Sequence, residues 1–529
     1  MFMRARRQAI ILLNLWAIFV FLAGCAGRRS SNLADRPEVP VRALTPEQLH
    51  IQELEAEVEL LERRLAASTK RISELETERR SLFLRLLEKE AEIGDYQALA
   101  QALSDRDDRV RAFAAMKLGE LGYRKPASKW MPEVHEALVV ALSDGVMEVR
   151  QRAAQALGEL GHLLPTSRLR LEEVLEDPSP EVRAAGATAL GKLKAKESLW
   201  ALMRLLKDEE AAVRAAAIYA VGNLDEKEVA PILARHLQDQ DQSVRESAAR
   251  ALGKIKEPAT VEPLLAALKD EDERVRWYAA ASLGEIGEKS AGLGLTRVLK
   301  EDPSPGVRQA ACAALGKIKD ERALRALKEA LRDENSPVKD EAWAAFLATI
   351  KENPALLVRE GNGFYEEGDF GRAAELLSLA LGDSSFKANT ELWLRLARAY
   401  KAIEQWPKAA EAYRAAAESE EKKSPLREIR LEYAETLTRV ERGLEAVEIY
   451  KGLISEAPEE SEPLWAATLK IIKGLYDKGE YEAVVAAVEG LKISFPELGS
   501  EEVSKKMLEL QSFSQQEIEK AKEGEEKTE

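Results

Sequence analysis

Histidines and cysteines are the side chains of this sequence best suited to metal binding, acid–base catalysis or covalent chemistry. The chain has only four histidines and two cysteines in 529 residues. They are scattered, without partners at the spacing of a metal site, and only His135 precedes a glutamate. Phosphate-binding glycine loops, dinucleotide fingerprints and Gly-x-Ser-x-Gly motifs are also missing from the sequence. We therefore predict no catalytic, cofactor-binding or metal-binding residue, and expect His135 to be an ordinary exposed helix residue. The histidines are His50, His135, His162 and His236.

Cys25 follows an N-terminal segment in which three arginines precede an apolar run. The run from Ala9 to Leu22 is 14 residues long, whereas a helix needs about 20 to cross a bilayer. We predict a signal peptide over residues 1–24. The segment Leu22-Ala23-Gly24-Cys25 resembles a bacterial lipobox, which implies cleavage before Cys25 and diacylation of its thiol. An uncleaved anchor and ordinary cleavage are the alternatives.

Residues Ala26 and Gly27 bear on the destination of such a lipoprotein. In many Gram-negative bacteria an aspartate just after the lipidated cysteine favours retention in the inner membrane, and this chain has Ala26 there. The resemblance therefore implies a lipid-anchored protein of the bacterial cell envelope. Where the organism uses this rule, the periplasmic face of the outer membrane is favoured over the inner membrane. Cys312 stands where Ala249 and Ala280 stand in matching segments, which indicates a small core residue.

One short phrase returns eight times between about residues 105 and 350. An aspartate is followed five residues later by valine and then by a basic residue, and the basic residues lie 39, 33, 31, 31, 31, 32 and 31 positions apart. A period of this size is typical of a solenoid of stacked units. The valine begins an alanine-rich helical pattern, and an apolar helical pattern precedes the aspartate, so each unit is predicted to be a helix pair.

Two features predict the helix ends in these units. Leu-Gly or Val-Gly recurs in seven units, and we expect its glycine to end the second helix in a left-handed conformation. Three Ser-Pro pairs precede second helices, and we expect serine to cap them while proline fills the first position. The glycines are Gly119, Gly158, Gly191, Gly222, Gly253, Gly284 and Gly316, and the Ser-Pro pairs are Ser179-Pro180, Ser304-Pro305 and Ser336-Pro337.

These residues resemble HEAT repeats, particularly the short type found in phycobilisome lyase-like proteins. The resemblance implies that the turn aspartate and the second-helix arginine of successive units form a ladder along the stack. The eighth unit, with Asp333 but Lys339 in place of arginine, looks like a cap. One HEAT-repeat enzyme, deoxyhypusine hydroxylase, holds iron with several His-Glu pairs, which a single pair cannot do. The predicted ladder residues are Asp105, Arg111, Asp144, Arg150, Asp177, Arg183, Asp208, Arg214, Asp239, Arg245, Asp270, Arg276, Asp302 and Arg308.

Beyond Asn353 the period lengthens and the residues change. Small residues at Ala373, Ala409, Ala446 and Val484 are spaced 36, 37 and 38 apart, with aromatic residues between them. This pattern resembles tetratricopeptide repeats, whose period is about 34. Generic helical hairpins that continue the superhelix are the alternative. We place the HEAT-like solenoid at 96–352, the tetratricopeptide-like repeats at 353–498 and an acidic, partly disordered tail at 499–529.

Before the repeats, residues 25–45 are predicted to be a flexible linker and residues 46–95 a coiled coil. The seam alternates between a-type and d-type heptad positions. Most a-type positions hold β-branched residues and most d-type positions hold leucine, a combination that favours a parallel homodimer. The alternative is an amphipathic helix that covers the solenoid. The seam residues are Ile51, Leu54, Val58, Leu61, Leu65, Ser68, Ile72, Leu75, Arg79, Leu82, Leu86, Lys89 and Ile93.

Composition and charge limit the functional class. The formal net charge is −15, and −18 without Arg4, Arg6 and Arg7 of the signal, which disfavours nonspecific nucleic-acid binding. We predict an all-α fold: a coiled-coil helix, then an α-α superhelical solenoid. The predicted function is a non-enzymatic, membrane-anchored envelope scaffold for partner proteins. The alternatives are a lyase-like HEAT enzyme or enzyme subunit using His135 or Cys312, and a structural tether between membrane and cell wall.

Overall fold

A computed structural model of the chain describes residues 46–93, 95–124, 132–161, 164–419 and 426–525. All regular structure within these ranges is helical, which confirms the predicted all-α fold. The chain divides into two compact units, Met1–Phe83 and Leu84–Glu529. The predicted signal peptide, the lipidated Cys25 and the linker lie outside the described residues.

Helix α1 (Pro46–Ile93) is one continuous helix of 48 residues. In the first unit its apolar side chains are exposed, for example Leu65 at 68% and Ile72 at 57%. Within the second unit its last turns bury Leu87 and Ala91. The predicted coiled-coil segment is therefore helical from Pro46 to Ile93, and its seam residues from Leu54 to Leu86 lie on the surface.

Eight helix pairs follow in the second unit, as the period predicts. The first helix of each pair is short and often has a 3₁₀ turn at one or both ends, whereas the second helix is longer and alanine-rich. The first helices are α2 (Tyr96–Ala102), α4 (Pro132–Ala141), α6 (Pro165–Val174), α8 (Leu199–Arg204), α10 (Ala230–Arg235), α12 (Val261–Ala267), α14 (Gly292–Glu301) and α16 (Leu324–Ala330). The second helices are α3 (Asp108–Arg124), α5 (Met147–Leu160), α7 (Pro180–Lys192), α9 (Ala211–Asn223), α11 (Gln242–Ile255), α13 (Glu273–Ile286), α15 (Pro305–Ile318) and α17 (Ser336–Ile350).

The turn between the helices of a pair is held by its aspartate rather than by a serine cap. Ser179 and Ser304 occupy N-cap positions but make no side-chain capping hydrogen bond, and Ser336 is already helical, after the N-cap residue Asn335. In every pair the turn aspartate accepts a hydrogen bond from the backbone N–H two residues on. The aspartate thus fixes the local turn, as Asx turns do, and the predicted serine capping is wrong.

The predicted role of the Leu-Gly glycines is also wrong. They lie within the second helices, and left-handed residues at helix ends come later, at Gly161, Lys256, Gly287 and Lys319. A Cβ atom on Gly191 would lie 2.5 Å from Cα of Ala220 in the next second helix. These glycines are selected for close helix contact rather than for helix termination. The contacts are Gly119 with Ala156, Gly158 with Ala189, Gly191 with Ala220, Gly222 with Ala251, Gly253 with Ser282, Gly284 with Ala314, and Gly316 with Ala345.

Four further helix pairs continue the second unit beyond α17. Aromatic side chains make the join, because Phe364 packs edge-on against both Trp343 and Phe346. The Trp343 Nε1–H also donates a hydrogen bond to Glu375, at 3.1 Å. The aligned residues Ala373, Ala409, Ala446 and Val484 are all fully buried. The helices are α18 (Pro354–Glu366), α19 (Phe370–Ala380), α20 (Thr390–Ala402), α21 (Trp406–Glu418), α22 (Leu426–Arg439), α23 (Gly443–Glu456), α24 (Glu462–Asp477) and α25 (Tyr481–Ser494).

The region predicted to be an acidic tail contains a long helix. Helix α26 (Glu501–Glu525) packs against α24 and α25 and buries Val503 and Met507. Leu508 and Phe513 of the same helix are 38% and 51% exposed. The packed face is thus the one that carries Val503 and Met507, and residues 526–529 lie outside the described part of the chain.

Candidate interaction surface

The recurring aspartates and arginines form one continuous ladder along the eight pairs. Each arginine donates Nε–H and Nη2–H to the two carboxylate oxygens of the aspartate in the next pair, at 2.7–3.1 Å. Its Nη1–H donates to the backbone carbonyl of the aspartate in its own pair. Each arginine therefore ties its own turn to the next one. The bonds run from Arg111 to Asp144, Arg150 to Asp177, Arg183 to Asp208, Arg214 to Asp239, Arg245 to Asp270, Arg276 to Asp302, and Arg308 to Asp333.

The ladder is shielded from solvent. The seven arginine side chains are 9–17% exposed and their aspartates 5–13%. Burial works to raise the pKa of Asp144, but hydrogen bonds from Arg111 and the Val146 backbone N–H outweigh it and hold that pKa below its usual range. At the end of the ladder, the hydrogen bond from Arg308 lowers the pKa of Asp333. Stability from these two carboxylates is present above their unfolded pKa and is lost as the pH falls through the lowered folded values.

The ladder reaches one residue further than the sequence prediction. Each arginine binds forward to the next pair, so Asp333 of the eighth unit accepts the last bond although that unit has Lys339 in place of arginine. At the other end, Asp105 accepts the Asp107 backbone N–H at 2.8 Å and gives its carbonyl to Arg111. The sequence prediction paired each aspartate with the arginine of its own unit. It therefore left out Asp333, whose unit has no ladder arginine but which accepts the bond from Arg308 of the preceding unit.

With the ladder buried, the second helices present a different set of side chains to solvent, here called the second-helix face. Between α3, α5 and α7 this face holds a groove of about 790 Å³. Its floor includes the closely packed Gly119 and Ala156. Its rim is polar and carries both charges, with Glu120, Gln151, Arg152, Gln155, Glu159, Thr188 and Lys192. Such a groove provides both charges and uncharged hydrogen-bonding groups to a bound polypeptide.

Further along the second-helix face, aromatic and charged residues replace the alanines. Trp277 is 42% exposed and meets the Tyr278 ring edge-on, with ring centroids 4.8 Å apart. Glu285 of α13 accepts hydrogen bonds from Lys256 and Lys317, and these bonds lower the pKa of its carboxyl group to about 2. The exposed side chains of the second-helix face therefore differ in size and charge from pair to pair. Tryptophan is a residue type enriched at binding hot spots.

A partly buried polar network joins three helices beyond α17. Arg398 of α20 donates to Glu432 of α22 at 2.6 Å, and the fully buried Tyr413 donates its hydroxyl to the same carboxylate at 2.5 Å. Burial works to raise the pKa of Glu432, but the bonds from Arg398 and Tyr413 outweigh it, so the pKa is lowered. This network joins successive pairs, as the ladder does in the first array.

The two residues on which an enzymatic alternative depends are both buried. His135 is 3% exposed, contrary to the prediction of an exposed residue, because it lies on the face of α4 that also buries Val134 and Leu138. Cys312 is fully buried, and burial raises the pKa of its thiol to about 12. A protonated, enclosed thiol is a poor nucleophile. Among the described residues, no cluster of side chains suited to hold a metal ion is found.

The sequence of the ladder region matches a known repeat family. The profile of HEAT repeats matches residues 96–176, 167–253, 236–292 and 262–348. HEAT repeats generally mediate protein–protein interaction. No curated protein matches the sequence.

Solved structures with similar helical arrays share low identity with this chain. The CpcE–CpcF complex of phycocyanin lyase from Nostoc sp. PCC7120 is 23% identical, covering 48% of this chain and 94% of that one, with a TM-score of 0.32. YibA of Escherichia coli is 20% identical over 49% of this chain and 95% of its own, with a TM-score of 0.38. An engineered protein is 21% identical over 72% and 99%, with a TM-score of 0.36. At this identity the likeness concerns the fold alone.

Proposed function

We propose that this chain is a membrane-anchored scaffold of the bacterial cell envelope, which binds partner proteins on its HEAT repeats and on the helix pairs beyond them and performs no chemistry. One observation carries the proposal. The aspartates and arginines that recur from pair to pair are shielded and bonded to one another, while the solvent-facing residues of the second-helix face differ between pairs. Recurring residues therefore support the array, and variable ones are left for recognition.

Attachment to the membrane is proposed through acylated Cys25. The sequence before it resembles a lipobox, and two or three acyl chains bind a bilayer firmly where one binds it marginally. Among the described residues, no helix is long and apolar enough to span a bilayer. We propose the periplasmic face of the outer membrane, which the residues after Cys25 favour over the inner membrane, as the site where anchoring raises the local concentration of scaffold and partner.

Removing the acylated thiol should detach the chain. In fractionated cells, Cys25→Ala is expected to move most of the protein from the detergent-extracted membrane fraction to the aqueous fraction, because the acyl chains are lost. Cys312→Ala is the matched control, since that residue is buried and should leave membrane association unchanged. Equal membrane association of Cys25→Ala and wild type would contradict lipid anchoring.

Partner binding is tested by recovery from the native membrane. After crosslinking in intact cells, the detergent-solubilised chain is expected to purify with a defined protein in fixed stoichiometry. Co-sedimentation with peptidoglycan alone would instead support a tether to the cell wall. Binding of a chromophore or metal that is lost on changing His135 or Cys312 would support the enzymatic alternative. Either of these last results would contradict a protein-binding scaffold.

A further inference from the structure

Helix α1 has an exposed apolar stripe with the spacing of a coiled-coil seam. The positions of this seam recur alternately three and four residues apart, with Ser68 and Arg79 as polar members, and each aliphatic side chain is between 48% and 68% exposed. The helix is unbroken from Pro46 to Ile93. A stripe of this kind is stabilised when another helix covers it. The exposed members are Leu54, Val58, Leu61, Leu65, Ile72, Leu75, Leu82 and Leu86.

We propose that the stripe is covered by a second copy of this chain, in a parallel coiled coil with the two α1 helices in register. The β-branched residues Val58 and Ile72 fall at a-type positions, and leucines occupy the d-type positions 54, 61, 75 and 82. This combination favours two parallel strands. The pairing is independent of what the repeats bind, and it uses a different surface.

The two cations within the stripe indicate the register. Arg79 is at an a-type position, where the side chain packs beside the preceding g-type residue of the opposite helix. In register, that residue is Glu78 of the second copy. Lys89 is at a d-type position and packs beside the following e-type residue, which is Glu90 of the second copy. Each cation in the seam thus meets a carboxylate from the other chain.

Charges along the edges of the stripe are mostly complementary in the parallel arrangement. In a parallel pair, g-type Arg71 and Arg85 face e-type Glu76 and Glu90 of the second copy, and only Glu57 with Glu62 is a like-charge pair. An antiparallel pair whose stripes overlap fully would also set opposite charges against each other, for example Glu57 against Arg85. The direction of the pairing is therefore argued from the residues at the a-type and d-type positions, and the edge charges are compatible with it.

Disulfide trapping in the full-length, detergent-solubilised chain tests the register. Leu61→Cys places thiols across the seam, and a disulfide needs Cα atoms within about 7 Å. Mild oxidation is expected to give mostly crosslinked dimer, because a parallel pair brings both copies of position 61 together. Arg63→Cys, on the outward side of the same turn, is the matched control and should give only the wild-type background. An antiparallel pair sets a-type positions opposite d-type positions and would keep the two copies of position 61 apart, so a dimer without the Leu61→Cys crosslink would overturn the proposal.

The mass of the solubilised protein, and its response to exchanging two charges, provide a second test. Light scattering corrected for detergent is expected to give twice the mass of one processed chain, falling to the mass of one chain for Leu54→Glu combined with Leu61→Glu. Glu78→Arg alone should weaken the dimer, and adding Arg79→Glu should restore it, because the charges across the seam are then exchanged. A monomeric wild type would overturn the proposal and leave the scaffold function untouched. A failure of Arg79→Glu to restore the dimer would contradict the register.

Discussion

Arg245→Ala is expected to lower the free energy of unfolding of the HEAT array by about 3 kcal/mol, because removing one member of a shielded ion pair leaves the other buried and uncompensated. The Arg245 side chain is 9% exposed and Asp270 is 11%. The substitution removes both bonds to that carboxylate and the bond to the Asp239 carbonyl. The hydrogen bond to Asp270 also raises the pKa of Arg245. Denaturant unfolding followed by circular dichroism measures the loss.

Arg250→Ala is the matched control for this prediction. Arg250 lies in the same helix, α11, but is exposed, so its removal should change stability by no more than about 0.5 kcal/mol. A double-mutant cycle with Asp270→Ala should show strong coupling, since the double variant leaves no lone charge at that position. Equal unfolding midpoints for Arg245→Ala and Arg250→Ala would mean that the ladder does not hold the array.

Gly191→Ala is expected to destabilise the array by about 2 kcal/mol, the usual size of an overpacking effect. The added Cβ would lie 2.5 Å from Cα and 2.8 Å from Cβ of Ala220. No flexible side chain can yield there, because the contact is with the backbone and first carbon of helix α9. Helices α7 and α9 would have to separate, which weakens their packing. Thermal or denaturant unfolding is the measurement.

Gly452→Ala makes the same chemical change as Gly191→Ala but is expected to raise the stability rather than lower it. Gly452 lies inside helix α23 and has no atom within 4 Å of the added Cβ. Alanine in an open helical position should stabilise by about 0.5–1 kcal/mol, because it restricts the unfolded chain more than glycine does. If both glycine variants gained stability, close packing would not be the reason for the Leu-Gly glycines.

The repeat period and the ladder could be predicted because they depend on local, recurring chemistry. An aspartate that makes an Asx turn and an arginine one helical turn into the next helix recur wherever the same geometry recurs. Their spacing in the sequence therefore reports the spacing of the stacked pairs. The sequence comparison aligned the aspartate and arginine of each unit and did not show that each arginine bonds to the aspartate of the following unit. For this reason Asp333 was not predicted.

The features that were predicted wrongly depend on contacts between distant residues. A glycine near a helix end serves equally for a left-handed cap or for close packing, and only the position of Ala220 distinguishes the two roles of Gly191. His135 has a polar side chain on a surface helix, and its burial depends on neighbouring helices.

The proposed function implies a division of roles, in which recurring charged residues hold the array together and variable residues on the second-helix face recognise partners. The most direct measurement is the affinity of a recovered partner for wild type, for Gln155→Arg with Thr188→Arg in the groove, and for Glu197→Arg, an exposed residue at the start of a first helix. We expect the groove variant to bind at least about ten-fold more weakly, a loss of about 1.4 kcal/mol, with an unchanged unfolding midpoint, and Glu197→Arg to bind like wild type. Equal affinity of all three proteins would contradict recognition by this groove.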